Sequence, residues 1–550
     1  MVTITVKKDH LKALVGRHVP DSRLEDALAQ VKAAVDAETA DEYSLEVTGD
    51  RPDLLSAEGV ARAVRGRLGF EKGLPESDFA DSGVHVVAEE SATRIRPYIV
   101  GAVVRNLRLS EDGVAALFQT QEKLDLTHGR RRGKVSIGLY DMGRLKPPFR
   151  YRAADPGKTA FIPLKSDRKM TLSQILLSHP KGIENAHLLE GHRQYPVLED
   201  SVGEILSLIP IINGVSSAVT PGTTELFIDH TGSDLSALNS SLNILCRDFA
   251  DSGAKVETVE VIYGGKRVHT PNTHPQRMEL DVAYANRMLG TALSAEKMGQ
   301  CLARQCIGAT ARKEGRSLEC LIPPYRADFI HPADLVEEVA LGHGYNDFEP
   351  KPPDVYSKGS LLGSTFLQDI AEEAMVGAGY LQVACHCTTN DCIASKAALG
   401  EGLARISNPV SEEFDRIRSH ILPGVLNLLS KNTHEPYPQK VFEIGQTVER
   451  DSSSDTGYAT RLKACGATAH AAASLSESAG VLSSLLSRLG WKFSLKPLES
   501  GRFIDGRGAR ILLHRDGKEV DAGFIGELHP LVLQASGLQV PCAAFELAID

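Results

Sequence analysis

Four carboxylates in one short stretch, RADFIHPADLVEEVALGHGY, have the residue types and the spacing that a metal ion needs. Asp334, Glu337 and Glu338 are spaced to share one face of a helix, and Asp328 comes just before it. Like charges at these spacings repel each other by roughly 0.2–0.5 kcal/mol per pair. A bound cation would remove that repulsion, and a set of oxygen ligands suits Mg²⁺ best. The alternative is an acidic first turn that the helix dipole stabilises.

A helix must position three of these carboxylates. Between residues 333 and 341, Leu335, Val336 and Val339 recur at the spacing of a buried helical stripe. The segment is therefore predicted as a helix that packs through its apolar face and presents its carboxylates on another.

The longer string PPYRADFIHPADLVEEVALGHGYNDF resembles the β subunit of phenylalanyl-tRNA synthetase, of the archaeal and eukaryotic type. That family carries the pattern "P-x-x-R-x-D-(five residues)-D-L-[IV]-E-E-[IV]-x-x-x-x-G-Y", and the match is complete. The resemblance implies that Asp328, Asp334, Glu337 and Glu338 bind Mg²⁺. It extends along nearly the whole chain, and the length of 550 residues fits this type of subunit.

Composition limits the class of protein. A chain of 550 residues is predicted to form three to five domains. Hydrophobic residues make up 42% and charged residues 24%, no apolar run is long enough for a membrane span, and the start does not resemble a signal peptide, so a soluble cytoplasmic protein is expected. With a net charge of −10, any contact with nucleic acid must be local or shared with a partner.

The nine cysteines lack paired spacing. Cys385, Cys387 and Cys392 surround His386 and could hold zinc. The string GYLQVACHC is better interpreted as a buried strand with reduced thiols.

Changes of pattern along the chain predict a multidomain α+β protein. The four predicted parts are an N-terminal α/β module (1–85), a mixed α+β domain (90–265), a small helical module (268–350) and an antiparallel sheet with flanking helices (360–550). In the first part, Ser56 is a predicted N-cap for a helix whose core face contains Val60, Ala61 and Val64.

The second part is β-rich. Its predicted strands span residues 98–104, 134–140, 225–229 and 256–263, and a helix is predicted after Asp234. Before the second of these strands, Arg130, Arg131 and Arg132 form the densest basic run in the chain. The run is interpreted as a solvated loop or, alternatively, as a loop that contacts RNA phosphates.

The strings YPVLEDSVGEILSLIPIING and LFIDHTGSD resemble the editing domain of the same family, with departures at Ile209 and Gly214. The resemblance implies that this domain hydrolyses mischarged Tyr-tRNA. The implied pocket residues are Leu198, Ser207, Asp229 and Thr231, with Asn213 as a neighbour.

Each implied pocket residue has an expected role. Asp229 or Ser207 hydrogen-bonds the tyrosine phenol, Thr231 orients the ester or its attacking water, and Leu198 packs the ring. The alternatives are ordinary core packing for Leu198 and turn chemistry for Asp229 and Thr231.

The third part also has the rhythm of a helix–turn–helix, which occurs in DNA-binding proteins. Its candidate recognition helix, residues 295–306, carries only Lys297 and Arg304 as cations, so DNA binding is not favoured. The Pro-rich string FEPKPPDVY is predicted as a linker.

The last part is similar in order to a class II synthetase core, with a helix over 366–376, a strand over 380–385 and a long strand VFEIGQTVER. The arginine motifs that grip ATP in that class are missing, and Arg450 is the nearest substitute. Because adenylate formation depends on stabilising phosphate charge, this part is expected not to bind ATP productively.

The resemblance implies a β subunit that joins an α subunit in an α2β2 tetramer and attaches phenylalanine to tRNA(Phe), with ATP bound on α. Editing is expected because an apolar pocket rejects an added hydroxyl by only about a hundredfold. The alternatives are a self-sufficient class II ligase, which the missing motifs disfavour, and a scaffold or RNA-binding subunit without editing activity.

Overall fold

A computed structural model describes residues 2–76, 79–352, 355–515 and 517–549. The chain divides into two compact units, Met1–Lys351 and Pro352–Asp550. The predicted linker FEPKPPDVY spans this boundary, and its Pro353 and Asp354 lie outside the described residues. Along the described part of the chain, no helix is both long and apolar enough to cross a membrane.

The first unit begins with a three-stranded antiparallel sheet of order β1-β3-β2, covered by helices. Its elements are β1 (Val2–Lys7), α1 (Lys8–Val15), α2 (Asp21–Gln30), β2 (Ala33–Glu38), β3 (Glu42–Val47) and α3 (Ala57–Arg67). The predicted cap is confirmed, because the Ser56 hydroxyl accepts a hydrogen bond of 3.0 Å from the Gly59 amide. Val60, Ala61 and Val64 are buried, as predicted.

A large mixed sheet follows. Its segment contains β4 (Ala80–Ala88), α4 (Glu90–Thr93), β5 (Tyr98–Arg105), α5 (Glu111–Leu126), β6 (Val135–Asp141), β7 (Phe149–Ala154), β8 (Ala160–Phe161), β9 (Met170–Thr171), α6 (Leu172–Ser178), α7 (Pro180–Asn185), β10 (Tyr195–Glu199), β11 (Ile205–Leu208), β12 (Ile212–Asn213), β13 (Leu226–Gly232), α8 (Leu235–Asp251), β14 (Lys255–Tyr263) and β15 (Lys266–Thr270). The four predicted strands and the predicted helix are confirmed. Because β4 pairs with β14 and β7, the sheet begins inside the stretch assigned to the first module.

The strands of this sheet run in the order β12-β11-β10-β7-β4-β14-β5-β13-β6, with β15 on β14. Although β6 and β12 stand at opposite ends of that order, side chains join them. The Asn213 Nδ2 donates to the Leu139 carbonyl at 3.1 Å, and the Tyr140 hydroxyl donates to the Ser207 Oγ at 2.9 Å. We call this junction of Leu139, Tyr140, Ser207 and Asn213 the seam. The curved sheet thus encloses a core of its own.

The two faces of this sheet bury different clusters. Leu226 and Ile228 of β13 pack with α8 and the N-terminal module, whereas Phe227 packs with Tyr140 and Leu198 inside the curved sheet. Since alternate residues of a strand point to opposite faces, Asp229 and Thr231 share the inner face with Phe227.

The small module combines helices with a three-stranded sheet of order β16-β18-β17. It comprises β16 (Gln276–Asp281), α9 (Val282–Leu289), α10 (Ala295–Arg304), β17 (Gly308–Arg312), β18 (Ser317–Ile322) and α11 (Pro332–His343). The predicted acidic helix is confirmed as α11. The predicted helix–turn–helix segment forms α9 and α10, and Gly290, at φ +67°, ends α9 in the left-handed conformation.

The second unit is built on a seven-stranded sheet of order β19-β23-β24-β28-β27-β26-β25, counted over the described residues. Its elements are α12 (Gly363–Gly377), β19 (Leu381–Gln382), β20 (Thr388–Thr389), α13 (Asp391–Lys396), β21 (Ala404–Arg405), β22 (Arg416–Ile417), α14 (Leu422–Lys431), β23 (Gln439–Arg450), β24 (Tyr458–Ala469), α15 (Leu475–Arg488), β25 (Lys492–Pro497), β26 (Phe503–Arg515), β27 (Lys518–Leu528), α16 (Pro530–Ser536) and β28 (Cys542–Ala548). Helices α12 and α15 pack on one face, and α14 and α16 pack on the other.

The predicted buried strand over residues 380–385 is wrong in extent and burial. Only Leu381 and Gln382 form β19, an edge strand that pairs with β23 alone, and both side chains are exposed. Cys387 and Cys392 are exposed as well. Among the described residues, no group of three or more His, Cys, Asp or Glu side chains is arranged to hold a metal ion, so the zinc alternative gains no support.

Candidate functional site

The acidic helix α11 uses its first carboxylate as a cap. The Asp334 Oδ2 accepts hydrogen bonds of 2.7 Å from the backbone amides of Ile330 and His331, and the His331 side chain accepts from the Ala333 amide. This reciprocal pair satisfies amides that the first turn of a helix leaves without partners. Asp334 therefore has a structural role that needs no ion.

Asp328 and Glu338 meet around a buried guanidinium. Arg326 donates to both oxygens of Asp328, at 2.9 and 2.7 Å, and its Nη2 donates to the Glu338 Oε1 at 2.8 Å. The side chains of Arg326 and Glu338 are each only 2% exposed. Burial lowers the pKa of Arg326, but these two carboxylates outweigh it and raise the pKa well above its ordinary value.

Glu337 points to a different partner. Its Oε1 lies 2.9 Å from the Lys32 Nζ of the N-terminal module, and its side chain is 48% exposed. The four predicted magnesium ligands thus face a backbone cap, an arginine and a lysine. Their oxygens do not form a cage for a cation, and the described residues contain no metal-binding group here. The sequence correctly placed Asp334, Glu337 and Glu338 on one helix but missed the partner of each.

The predicted editing residues come together on the inner side of the curved sheet. Leu198 pairs with Ser207 across β10 and β11, and Ser207 pairs with Asn213 across β11 and β12. Asp229 and Thr231 come from β13. Leu198, Ser207, Asp229 and Thr231 are each at most 2% exposed. The structure therefore brings these polar groups together beneath the surface.

Tyr140 is the residue of this cluster that sequence reasoning missed. Its hydroxyl donates to the Ser207 Oγ at 2.9 Å and lies beside the Asp229 carboxyl. Gly138 makes room for both groups, because a Cβ there would collide with the Asp229 Oδ1 and with the Tyr140 Oη. The alternation of SIGLYD indicates the strand, but β6 is buried on both faces, so alternation does not single out Tyr140.

One member of the cluster, Asp229, is a carboxyl group that is buried away from water. Burial is the main cause that raises the pKa of Asp229 to about 7, and its Oδ1 accepts no hydrogen bond. Asp125, nearby in the same domain, has its pKa raised to about 7 by burial as well. Near neutral pH a large share of each group is therefore protonated and can donate as well as accept a hydrogen bond.

Thr231 is fixed by Arg96. The Arg96 Nε donates to the Thr231 Oγ1 at 3.1 Å, and its Nη2 donates to the Thr231 carbonyl at 2.6 Å. Burial lowers the pKa of Arg96. The hydroxyl of Thr231 is consequently held in one orientation, with its own proton available for another acceptor.

The basic run does not form a single loop surface. Arg130, Arg131 and Arg132 have φ values of +49°, +51° and +66°, a left-handed turn that is costly for residues other than glycine. The Arg132 Nη1 donates to the Ile211 carbonyl at 2.7 Å, and its Nε lies 3.3 Å from the Asp125 carboxylate. Arg132 is thus a structural tie, whereas Arg130 and Arg131 are exposed.

The second unit contains a cavity of about 670 Å³ on the face of its sheet that also carries α14. Its lining includes Lys463 and Arg502 rather than Arg450, which was predicted as the nearest phosphate contact. Lys463 is already bound to the Ser419 carbonyl at 2.9 Å and to Glu449, and Arg502 lies over the Phe524 ring at 4.3 Å. Lys463 is therefore engaged by the protein itself, whereas the buried Arg502 Nε has no hydrogen-bond partner.

Comparison with known proteins identifies similar chains for both units. Residues 350–549 match the profile of the phenylalanyl-tRNA synthetase β chain CLM domain, and residues 278–345 match that of the tRNA synthetase B5 domain. The chain is 37% identical over 555 residues to the phenylalanine–tRNA ligase β subunit of Thermococcus sibiricus, with 100% of this chain and 98% of that protein covered.

A second relative is the phenylalanine–tRNA ligase β subunit of Pyrococcus abyssi, at 37% identity over 557 residues, with 100% and 99% of the two chains covered. A similar solved structure is an N-terminal fragment of the phenylalanyl-tRNA synthetase β subunit from Pyrococcus horikoshii. It has a TM-score of 0.60 and 36% identity, and the match covers 62% of this chain and all of that fragment. These similarities run along the whole sequence.

Proposed function

The chain belongs to the phenylalanine–tRNA ligase β-subunit family, and from this premise we propose that it acts with an α subunit to attach phenylalanine to tRNA(Phe) with ATP. The family match over the full length carries this proposal. In the cell the complex would work in the cytoplasm. Co-expression with a candidate α subunit, followed by an aminoacylation assay, tests it. A chain that aminoacylates tRNA alone would contradict it.

An apolar surface around α12 supports the α-subunit partnership. Leu361, Leu362, Phe366, Val376 and Leu381 lie on or beside this helix, and their exposed fractions range from 58% to 73%. A cluster of large apolar side chains of this kind is typical of an interface that a partner covers. We expect an α2β2 tetramer, which native mass measurement would identify. Phe366→Ser should weaken assembly, whereas Val410→Ser, at another exposed apolar position, should not.

The second unit is proposed to fold like a class II synthetase core that does not use ATP productively. The supporting observation is that Lys463 of its cavity is held by the Ser419 carbonyl and by Glu449, so this lysine is not poised for a phosphate. Isothermal titration of ATP into the chain is expected to give no binding in the micromolar range. Micromolar binding would contradict this proposal.

We propose further that the domain around the seam hydrolyses mischarged Tyr-tRNA(Phe). The observation that carries this function is the convergence of Ser207, Asp229 and Thr231 on one buried place beside the apolar Leu198. Such groups distinguish tyrosine from phenylalanine, because phenylalanine leaves buried polar atoms unpaired at a cost of about 1–3 kcal/mol.

In the proposed reaction, each side chain of this cluster has a different role. Asp229, with a pKa near 7, exchanges a hydrogen bond with the phenol, and Thr231, oriented by Arg96, positions the ester or its attacking water. None of the predicted pocket residues is a strong general base. Hydrolysis is therefore assigned to a positioned water and the terminal ribose hydroxyl, with orientation supplying most of the rate.

Two variants test the editing site. Asp229→Ala and Thr231→Val should let Tyr-tRNA accumulate while aminoacylation with phenylalanine continues. As a control, Asp234→Ala removes a carboxylate that caps α8 and pairs with Lys134 at 3.1 Å, and it should leave clearance of Tyr-tRNA intact. If the two site variants clear Tyr-tRNA as fast as the parent, the pocket lies elsewhere. If the parent complex clears none, the chain acts as a scaffold or RNA-binding subunit without editing activity.

Two expectations from the sequence stay predictions. Mg²⁺ binding by Asp328, Asp334, Glu337 and Glu338 is supported by the resemblance and by the Glu338 Oε2, which is buried and has no hydrogen-bond partner. An ion would have to compete with Arg326 and Lys32, so the residues as arranged do not fit it.

Contact with tRNA phosphates by Arg130 and Arg131 is supported by their exposure, and Arg130→Glu should weaken tRNA binding.

A further inference from the structure

The proposed editing cluster is closed in this structure. Leu198, Ser207, Asp229 and Thr231 are at most 2% exposed, so the side chain of an incoming aminoacyl group has no path to them unless a covering group moves. The phenol that occupies the cluster at the seam is that of Tyr140, which is itself fully buried, stacks on Phe227 at 5.8 Å and donates from its hydroxyl to the Ser207 Oγ.

Tyr140 carries the same chemical group as the proposed substrate. A phenol that is bonded to Ser207 and lies beside Asp229 is the arrangement that a mischarged tyrosine would have to make. We propose that Tyr140 is an internal stand-in for the tyrosine phenol, and that the editing substrate enters by displacing the Tyr140 hydroxyl from Ser207 and Asp229. This inference rests on the proposed editing function.

The packing at Gly138 favours this assignment over a merely structural tyrosine. Gly138 pairs with Asp229 in the sheet, and its missing Cβ leaves the space in which the Asp229 Oδ1 and the Tyr140 Oη lie. The Tyr140 hydroxyl donates to the Ser207 Oγ, and the buried Asp229 Oδ1 beside it has no hydrogen-bond partner. A substrate phenol that takes the place of Tyr140 can therefore bond to Ser207 or to Asp229.

Displacement of this kind would make the site selective. A tyrosine side chain that replaces Tyr140 restores the hydrogen bond to Ser207, so the exchange is nearly neutral. A phenylalanine side chain restores none, and Ser207 and Asp229 both stay buried without a partner. A free-energy difference of about 1.4 kcal/mol changes an equilibrium constant tenfold. One or two unpaired polar groups therefore account for a preference for tyrosine over phenylalanine of about tenfold to a hundredfold.

The deciding variant is Tyr140→Phe, which keeps the ring and removes the hydroxyl. The hydrogen bonds that the substrate must replace are then gone, so kcat/KM for hydrolysis of Tyr-tRNA and of Phe-tRNA should both rise by roughly fivefold or more. Their ratio should stay unchanged, because the groups that read the phenol are intact. A tyrosine that only supported the fold would give slower hydrolysis when its hydroxyl is lost.

Tyr151→Phe is the matched control. Tyr151 is also fully buried inside the curved sheet, but its hydroxyl donates to the Arg96 carbonyl at 2.9 Å. Its loss should not accelerate hydrolysis. Both variants would be assayed in the full chain co-purified with the α subunit, with Tyr-tRNA and Phe-tRNA prepared beforehand.

The outcomes separate the two proposals. A parent complex that does not clear Tyr-tRNA overturns the editing function, and this inference with it. A parent that clears Tyr-tRNA while Tyr140→Phe is equally fast or slower overturns the displacement of Tyr140 alone.

A second measurement does not depend on that variant folding. With 3-fluorotyrosine at position 140, the ¹⁹F resonance should shift on addition of L-tyrosinamide and not with the same concentration of L-phenylalaninamide. An unchanged resonance under tyrosinamide, in a complex that clears Tyr-tRNA, would overturn the displacement.

Discussion

Two buried groups of carboxylates in the first unit are handled in opposite ways. Around α11, Asp328 and Glu338 face the guanidinium of Arg326, and nearby Arg51 holds Asp53 through two bonds of 2.8 and 2.7 Å, which lowers the pKa of Asp53 to about 2 despite its burial. At the seam, Asp229 lies beside the neutral hydroxyl of Tyr140, and burial raises its pKa to about 7.

The comparison separates carboxylates in ion pairs, which stabilise the fold, from a buried carboxyl without an ion pair. Asp328 and Glu338 share a buried arginine, which holds them in place although the Glu338 Oε2 has no hydrogen-bond partner. A buried carboxyl that no cation pairs with is costly for stability, and such costs are typical of binding and catalytic sites. At the acidic helix, which the sequence marked most clearly, Asp328 and Glu338 are thus held by a cation of the protein, whereas the seam keeps a buried carboxyl of raised pKa.

The largest expected effect comes from removing the cation of the first group. Arg326→Met keeps an apolar stem over Phe329 but leaves Asp328 and Glu338 buried without their partner. Breaking a buried pair in this way costs about 3–5 kcal/mol. Thermal unfolding should show a large loss in Tm.

Arg277→Met is the control for Arg326→Met. Arg277 is 76% exposed and pairs with Glu319 at 3.1 Å, so its loss should cost no more than about 1 kcal/mol. If both variants shift Tm equally, the buried network contributes nothing special and the comparison between the two groups fails.

The next effect is a pH dependence with opposite signs for the two kinds of carboxyl. Asp229 has a pKa near 7 when folded and 3.8 as its ordinary value, so the folded state holds the proton that the unfolded state loses. Stability from this group is complete below pH 3.8 and is lost at about 1.4 kcal/mol per pH unit as pH rises toward 7.

Asp229→Asn should therefore flatten the decline of stability between pH 4 and 7, which unfolding in denaturant at several pH values would measure. Asp53, whose pKa is lowered to about 2, contributes stability above pH 3.8 that is lost as pH falls, so Asp53→Asn should lose stability at neutral pH instead. Parallel curves for the parent and Asp229→Asn would mean that Asp229 is ionised in the fold.

Residue types and spacing predicted more about the elements than about the partners of their side chains. The periodicity of Leu335, Val336 and Val339 predicted α11, and alternation predicted the strands that carry the seam. The sequence could not show that Arg326, two residues from Asp328, pairs with this carboxylate and with Glu338, because a short-range pair and a coordination sphere have the same spacing.

Tyr140 was missed for a related reason. It lies 67 residues from Ser207 and 89 from Asp229, and the three meet only because the sheet curls until β6 reaches β11. No local sequence pattern indicates that the sheet closes in this way. The predicted buried strand at residues 380–385 failed because an edge strand keeps apolar residues such as Leu381 exposed, and periodicity does not distinguish an edge from a centre.

A smaller effect is expected from filling the space at the seam. Gly138→Ala places a methyl group against the Asp229 Oδ1 and the Tyr140 Oη, and overpacking of a core typically costs about 1–3 kcal/mol. We expect a moderate loss in Tm together with slower clearance of Tyr-tRNA. In the turn between β14 and β15, Gly265 has no atoms near the position of a Cβ, so Gly265→Ala should change neither. Equal behaviour of the two variants would show that the seam tolerates expansion.

The smallest effect separates the ion-pair interpretation of α11 from the magnesium prediction. Glu337 is half exposed and pairs with Lys32. If its role is that surface ion pair, Glu337→Gln should lower the free energy of unfolding by no more than about 1 kcal/mol. Added Mg²⁺ should then change the Tm of parent and variant equally. A magnesium ligand behaves differently, because an ion that binds only the folded state raises Tm with its concentration, and loss of one ligand reduces that rise. A Tm of the parent that increases with Mg²⁺ and falls with chelator, while Glu337→Gln responds less, would show that the carboxylates of α11 regroup around an ion. The acidic helix would then be a metal site as well as a structural one, and its contrast with the seam would be one of degree.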